Sequence, residues 1–220
     1  MADSAVIFDV DGVLLDLTAA EEDAFFLAFE RLHGLTGLSR DWDSYRIRND
    51  QHIIAEILER HGLPASAADA VVAEYLKILS DGLASRALQV VEIAGAGGLL
   101  RALHGRQLGI ATANLRAAAQ LRLQAAGLWE PVSQLAFGAE GSGHKRETVA
   151  KAIAATGLPK HRIVYIGDNL NDVDAGLANG VHFIGFAQDA ARRNKLAAAG
   201  ARHLSGEHGT TLALIDRLLG

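Results

Sequence analysis

The sequence predicts an α/β fold: a Rossmann-like, mostly parallel sheet flanked by helices, with an inserted all-helical cap. Three observations lead there. From about Leu88 onward, short apolar runs alternate with helical patterns, the grammar of a parallel sheet with right-handed crossovers. One more such run, Val6-Ile7-Phe8, stands near the start, separated from the rest by a stretch from Thr18 to about Ser85 that holds helical periodicity and no convincing strand. Finally, two runs end in carboxylates: Val6-Ile7-Phe8 leads into Asp9-Val10-Asp11-Gly12, and Ile163-Val164-Tyr165-Ile166 into Gly167-Asp168, with Asp172 four residues on.

In chain order, the first run has the length and β-branched character of a buried parallel strand. Thr18 to Gly34 reads as a helix, with Thr18 and Glu21 in a capping-box pattern, Phe25, Phe26, Phe29 and Leu32 as its apolar stripe, and Gly34 as its stop. Asn49 to His61 carries Ile53, Ile54, Ile57 and Leu58, and Ser66 to Ala84 carries Val71, Val72, Tyr75, Leu76 and Leu79 at helical spacing. These boundaries put a catalytic core at 1–15 and 88–220 and a helical cap at 16–87. Within the core, helices are expected over Gly97 to His104, Asn114 to Ala126, Glu147 to Ala155 and Asp172 to Ala178. Strands are expected at Leu108 to Ala111, Leu135 to Phe137, Ile163 to Ile166 and Val181 to Phe186.

Composition sets outer bounds. Half of the 220 residues are hydrophobic, enough for one full core and a small second one. A net charge of −5 without a basic run or an aromatic-interleaved basic stripe predicts no nucleic-acid partner. Cysteine is absent, which excludes disulfides and thiolate metal sites. No signal peptide or membrane-length apolar stretch is visible, so a cytoplasmic protein with no membrane or protein partner is the expectation.

Ligands of open α/β sheets bind beyond the carboxyl ends of strands, so two neighbouring strands ending in aspartates would gather several carboxylates in one crevice. Repulsion within such a cluster calls for a cation, and an all-oxygen donor set selects a hard divalent ion, most naturally Mg²⁺. A lone aspartate after a strand is usually a helix cap or turn residue, which remains the reading for Asp16 and Asp174. Two clusters of the same pattern, each beside a glycine, exceed what capping explains. Asp9 and Asp11 lie two apart, suiting two roles, attack on phosphorus and proton transfer at the leaving oxygen. Thr112, with Ala113 and Asn114 at the start of a helix, offers an anion-binding corner, though taken alone these residues are better explained as caps of that helix. Lys145 lies in a glycine-rich loop that lacks the spacing of a P-loop.

Asp9-Val10-Asp11-Gly12-Val13-Leu14, Thr112, Lys145 and Gly167-Asp168-Asn169-Leu170-Asn171-Asp172, in that order, resemble the four motifs of the haloacid dehalogenase superfamily of phosphohydrolases. The resemblance spans nearly the whole chain, and the insertion resembles the helical cap of the phosphoglycolate phosphatase and β-phosphoglucomutase branch. It implies Asp9 as the nucleophile and a metal ligand, and Asp11 as the general acid/base with its backbone carbonyl on the metal. It further implies Asp168 as a metal ligand and Asp172 as a supporting group that holds Lys145. Thr112, Ala113, Asn114 and Lys145 would bind the transferred phosphoryl group. One departure stands out: the branch usually has proline after the lysine, and Arg146 stands here, leaving Lys151 as a weaker substitute.

The expected activity is Mg²⁺-dependent hydrolysis of a small phosphorylated metabolite through an aspartyl-phosphate. Dehalogenases of the superfamily lack the second aspartate of the first motif, which Asp11 supplies here. A phosphomutase or phosphotransferase is the alternative, weakened because the mutases carry a histidine near the position of Glu21 or Glu22. A non-catalytic phosphate-binding module is a further alternative, disfavoured by the intact carboxylate set. Arg46, Arg48 and Asn49, joining two cap helices, are the candidates for substrate selection, with a solvated polar loop as the plain alternative.

Overall fold

Strand β1 (Ala5–Phe8) is buried along its whole length, as a strand covered on both faces must be. The computed structural model describes residues 2–220. After β1 come β2 (Leu15–Asp16), helices α1 (Ala19–His33), α2 (Asp50–Arg60) and α3 (Ala68–Ala84), and β3 (Val91–Glu92). Then follow α4 (Ala96–Ala102), β4 (Gln107–Ala111), α5 (Arg116–Ala125), β5 (Ala136–Phe137), α6 (Lys145–Thr156) and β6 (Ile163–Gly167). The chain closes with α7 (Leu170–Asn179), β7 (His182–Phe186), α8 (Ala190–Ala198), β8 (His203–Ser205) and α9 (His208–Leu219).

Among the described residues, six strands form one sheet of order β5-β4-β1-β6-β7-β8 in which every pairing is parallel. Alternation along β1 feeds two cores: Val6 and Phe8 pack with α4, α5 and α9, while Ala5 and Ile7 pack with α6 and α7. Register decides where the site lies. Phe8 pairs with Ile110 on one side and Ile166 on the other, so Asp9, Thr112 and Asp168 leave the sheet at one edge, within a few residues of these partners.

The helical block has its own apolar cluster, in which Phe25, Phe29, Ile53, Ile57, Val71 and Leu79 meet Leu115 and Ala118 of the α5 region. Its first helix forms as expected: Thr18 Oγ1 accepts from the Glu21 amide at 3.3 Å, Glu21 Oε2 accepts from the Thr18 amide at 2.9 Å, and Gly34 ends the helix in the left-handed region.

Three features depart from expectation. β2 and β3 pair antiparallel as a short ribbon at the root of the helical block, across both connecting segments. Two-residue strands carry no periodic signal, so no pattern announced them. Helix α5 starts at Arg116 rather than Asn114, because Thr112 to Leu115 form a separate turn. Beyond β7, the α8–β8–α9 segment adds an edge strand and two helices to the sheet.

Candidate active site

The ends of β1 and β6 bring the predicted carboxylates together. Asp9, Asp168 and Asp172 each offer an oxygen within 4.8 Å of the others, and all three are buried. Lys145, the first residue of α6, places Nζ 2.8 Å from Asp9 Oδ1 and 3.1 Å from Asp172 Oδ1. Asp172 is fully enclosed: Oδ1 also accepts from the Tyr165 hydroxyl at 2.6 Å, and Oδ2 accepts from the amides of Asp168 and Asn169 at 3.2 and 3.1 Å. So many donors suit a group that orients its neighbours. The backbone at Gly12 and Gly167 makes room. A Cβ at Gly12, whose φ is +72°, would lie 2.0 Å from Asp168 Oδ2, and one at Gly167 would lie 2.3 Å from the Cβ of Asp172.

Crowding of like charge sets the electrostatics. Burial, together with Asp172 and Asp168, pushes the Asp9 carboxyl well above the usual range against the pull of Lys145. Burial first, then Asp172, pushes Asp168 up to about 7 although Arg192 opposes it. Burial disfavours the Lys145 ammonium, yet Asp172 and Asp9 more than offset this and its pKa is raised. The trio lacks a matching number of cations and offers only oxygen donors, a set that fits a hard divalent ion. The Asp11 carboxylate stands outside the trio, turned toward Arg122 at 2.6 Å.

At the end of β4, Thr112 is buried and its Oγ1 accepts from the Asn114 amide at 3.1 Å. Thr112, Ala113, Asn114 and Lys145 all line one cavity of about 300 Å³ together with Asp9, Asp11 and Asp168. The helix N-terminus itself is already occupied: the amides of Leu115 and Arg116 donate to carboxylates of Asp50 and Glu140, each at 2.8 Å. The anion-binding corner is therefore limited to the Thr112–Asn114 turn. Lys151 points elsewhere, donating to Gly141 O and to Ser142 Oγ.

The helical block roofs this cavity with Phe25, Trp42, Arg48, Asn49, Asp50 and Tyr75. Asn49 caps α2 through its Oδ1 while its Nδ2 donates to Gly143 O at 2.7 Å, and Gln51 Oε1 accepts from the Gly141 amide at 3.0 Å. These bonds tie α2 to the loop that precedes Lys145. Arg48 faces the cavity and pairs with Asp43 at 2.9 Å. Arg46 does not line it: its guanidinium lies on α2, paired with Glu56 and Glu59 and well exposed. Of the three candidates for substrate selection, the structure brings Arg48 and Asn49 to the cavity and leaves Arg46 on the surface.

Residues 6–186 match the haloacid dehalogenase-like hydrolase family. The chain belongs to that family. Among solved structures, this haloacid dehalogenase-like hydrolase is similar to CbbY from Rhodobacter sphaeroides in complex with phosphate, at 21% identity and a TM-score of 0.76, covering 98% of this chain and all of that one. It is also similar to a predicted phosphatase from Clostridium acetobutylicum, at 18% identity and a TM-score of 0.70, covering 99% of this chain and all of that one. A curated relative, the tyrosine-protein kinase PtkA of Mycobacterium tuberculosis, is 30% identical over 180 residues, which are 80% of this chain. The chain spans 59% of the length of that relative.

Two arginines of the hydrolase site escaped the sequence reading. Arg192 of α8 places Nη2 2.6 Å from Asp168 Oδ2 and donates through Nε to the Asp168 carbonyl at 3.0 Å. Arg122 of α5 is buried between Asp11 and Glu21. A signal for Arg122 existed: in its helix it falls three and four residues after Ala119 and Ala118, on the apolar stripe, where an arginine demands a partner. Arg192 gave none, since it follows a strand end as one of two arginines in a polar helix.

Proposed function

We propose that the chain is a Mg²⁺-dependent phosphomonoesterase acting on a small phosphorylated metabolite. The observation that carries this reading is Lys145 joining Asp9 to Asp172 beside Asp168, with Thr112 at the rim of the same cavity. In this reading Asp9 attacks phosphorus through a carboxylate oxygen while Asp11 gives its proton to the departing ester oxygen, so the P–O ester bond breaks as an aspartyl-phosphate forms. A water then attacks the phosphoryl group, Asp11 takes up the water's proton, and the P–O bond to Asp9 breaks to release inorganic phosphate. Lys145 and the Thr112–Asn114 turn hold the phosphoryl oxygens throughout. Asp9, Asp168 and the backbone carbonyl of Asp11 would hold the metal, with Asp172 as support; when bound it neutralises the phosphoryl oxygens and the carboxylates.

The helical block acts as the cap, limiting the cavity to compact substrates and excluding bulk water during transfer. Phosphotransfer to an acceptor other than water is the second reading, favoured by the relative that carries the name of a kinase. The deciding experiment incubates the chain and Mg²⁺ with a panel of phosphorylated metabolites, a phosphotyrosine peptide and ATP with an unphosphorylated tyrosine peptide. Phosphate release from a metabolite, lost with Asp9→Asn and with chelator, is the expected result. A phosphorylated second product establishes transfer instead, and turnover that survives both treatments refutes the aspartyl-phosphate route.

A further inference from the structure

Arg122 is a buried arginine whose partners include Asp11, the candidate acid–base group. Its side chain is 2% exposed, yet its guanidinium meets groups from four segments of the chain. Nη2 lies 2.6 Å from Asp11 Oδ1 and 3.4 Å from the Asp16 carbonyl oxygen, Nε donates to Glu21 Oε1 at 2.5 Å, and Nη1 donates to Asn114 Oδ1 at 3.2 Å. Glu21 is itself 1% exposed and is the residue that closes the capping box of α1, where Oε2 accepts from the Thr18 amide and hydroxyl at 2.9 and 2.8 Å. A planar fork with fixed donor directions can hold these acceptors at once; a lysine ammonium at the end of a flexible stem cannot.

We propose that Arg122 is a positioning residue that orients Asp11 for proton transfer and makes that orientation depend on the seating of α1. The proposal rests on the assignment of Asp11 as the acid–base group. Arg122 engages Oδ1 of Asp11, which leaves Oδ2 to carry the proton to the ester oxygen. Glu21 fixes the other side of the guanidinium, so α1 must be docked on the core for Arg122 to stand where Asp11 needs it. The same guanidinium touches Asn114, whose Oδ1 also accepts from Thr112 Oγ1 at 3.2 Å, so the phosphate corner shares the link. Arg122 acts on the reaction through these side chains.

A proton donor matters most when the leaving group is a poor one. The test therefore compares kcat/KM for p-nitrophenyl phosphate, whose phenolate departs readily, with that for phenyl phosphate, in the full chain with Mg²⁺. Arg122→Lys is expected to lower the phenyl phosphate value by about tenfold or more and the nitrophenyl value by less than about threefold. Glu21→Gln, which keeps the shape of the side chain, is expected to discriminate in the same sense by about threefold. The Kd for inorganic phosphate should stay unchanged in Glu21→Gln, which does not touch the Thr112–Asn114 turn, whereas a purely structural role would weaken it and slow both esters alike. Asp11→Asn provides the reference. If Asp11→Asn discriminates and neither Arg122→Lys nor Glu21→Gln does, the Arg122 proposal is overturned while the acid–base assignment stands. If Asp11→Asn slows both esters equally, the assignment fails and the proposal with it. Should Arg122→Lys not fold, Glu21→Gln decides, and an unchanged preference between the two esters overturns the proposal.

Discussion

Lys145 Nζ stands 2.8 Å from Asp9 Oδ1 with both side chains at least nine-tenths enclosed, so the ammonium and the carboxylate can be separated only at the cost of an uncompensated buried charge. The alternation of strand and helix placed these residues 136 positions apart in sequence at one sheet edge. Replacing Lys145 by Met should remove the main cation among Asp9, Asp168 and Asp172. We expect a loss of about 3–5 kcal/mol in urea unfolding in the presence of chelator, partly recovered by Mg²⁺. Stability equal to the parent in chelator would show that the carboxylates are not held by this lysine.

The carboxylate trio should bind Mg²⁺ in the folded state alone, and binding to the folded state raises stability by about 2.7 kcal/mol at one hundred times Kd. Thermal unfolding should thus shift upward by several degrees when Mg²⁺ replaces chelator, and Asp168→Asn should abolish the shift. An equal shift in Asp168→Asn would place the ion elsewhere.

Arg48 faces the cavity while Arg46 is spent on Glu56 and Glu59. Arg48→Ala should raise KM for the best metabolite by about tenfold, the size of one charged hydrogen bond, and change a small aryl phosphate far less. Arg46→Ala should leave both within about twofold, because exposed ion pairs contribute little. A larger effect from Arg46 than from Arg48 would reverse the assignment drawn from the cavity.

Burial, opposed by the Leu115 amide, pushes Asp50 up to about 7 from its ordinary 3.8. A carboxyl with a raised folded pKa binds its proton more tightly in the folded state, so stability falls as pH rises from about 4 to about 7 and the cost is complete above that. Asp50→Asn keeps an acceptor for the Leu115 amide and removes this cost. Its unfolding free energy relative to the parent should therefore climb across that window, by at most about 4 kcal/mol. A difference between the two that stays flat with pH would show that Asp50 remains solvated.

Most of the fold and the centre of the site could be read along the chain. Local patterns sufficed for β1, β4, β5, β6 and β7 and for the capped helices α1 and α2: the capping box at Thr18 and Glu21 and the stripe of Ile53, Ile54 and Ile57 lie within one helix each. Asp9 and Asp168 were legible because each directly follows an apolar strand, and parallel strands end on one side. What the sequence by itself determined was thus the alternation of elements and the residues at strand ends. Tertiary structure decided the remainder, because packing between distant segments has no period. It ran Arg122 from α5 to Asp11 and Glu21, set Arg192 on Asp168, inserted Asp50 into the α5 N-terminus, and sent Arg46 outward while Arg48 faced in. A buried charge is placed by the partners that neutralise it, and those partners become neighbours only when the helical block docks on the sheet.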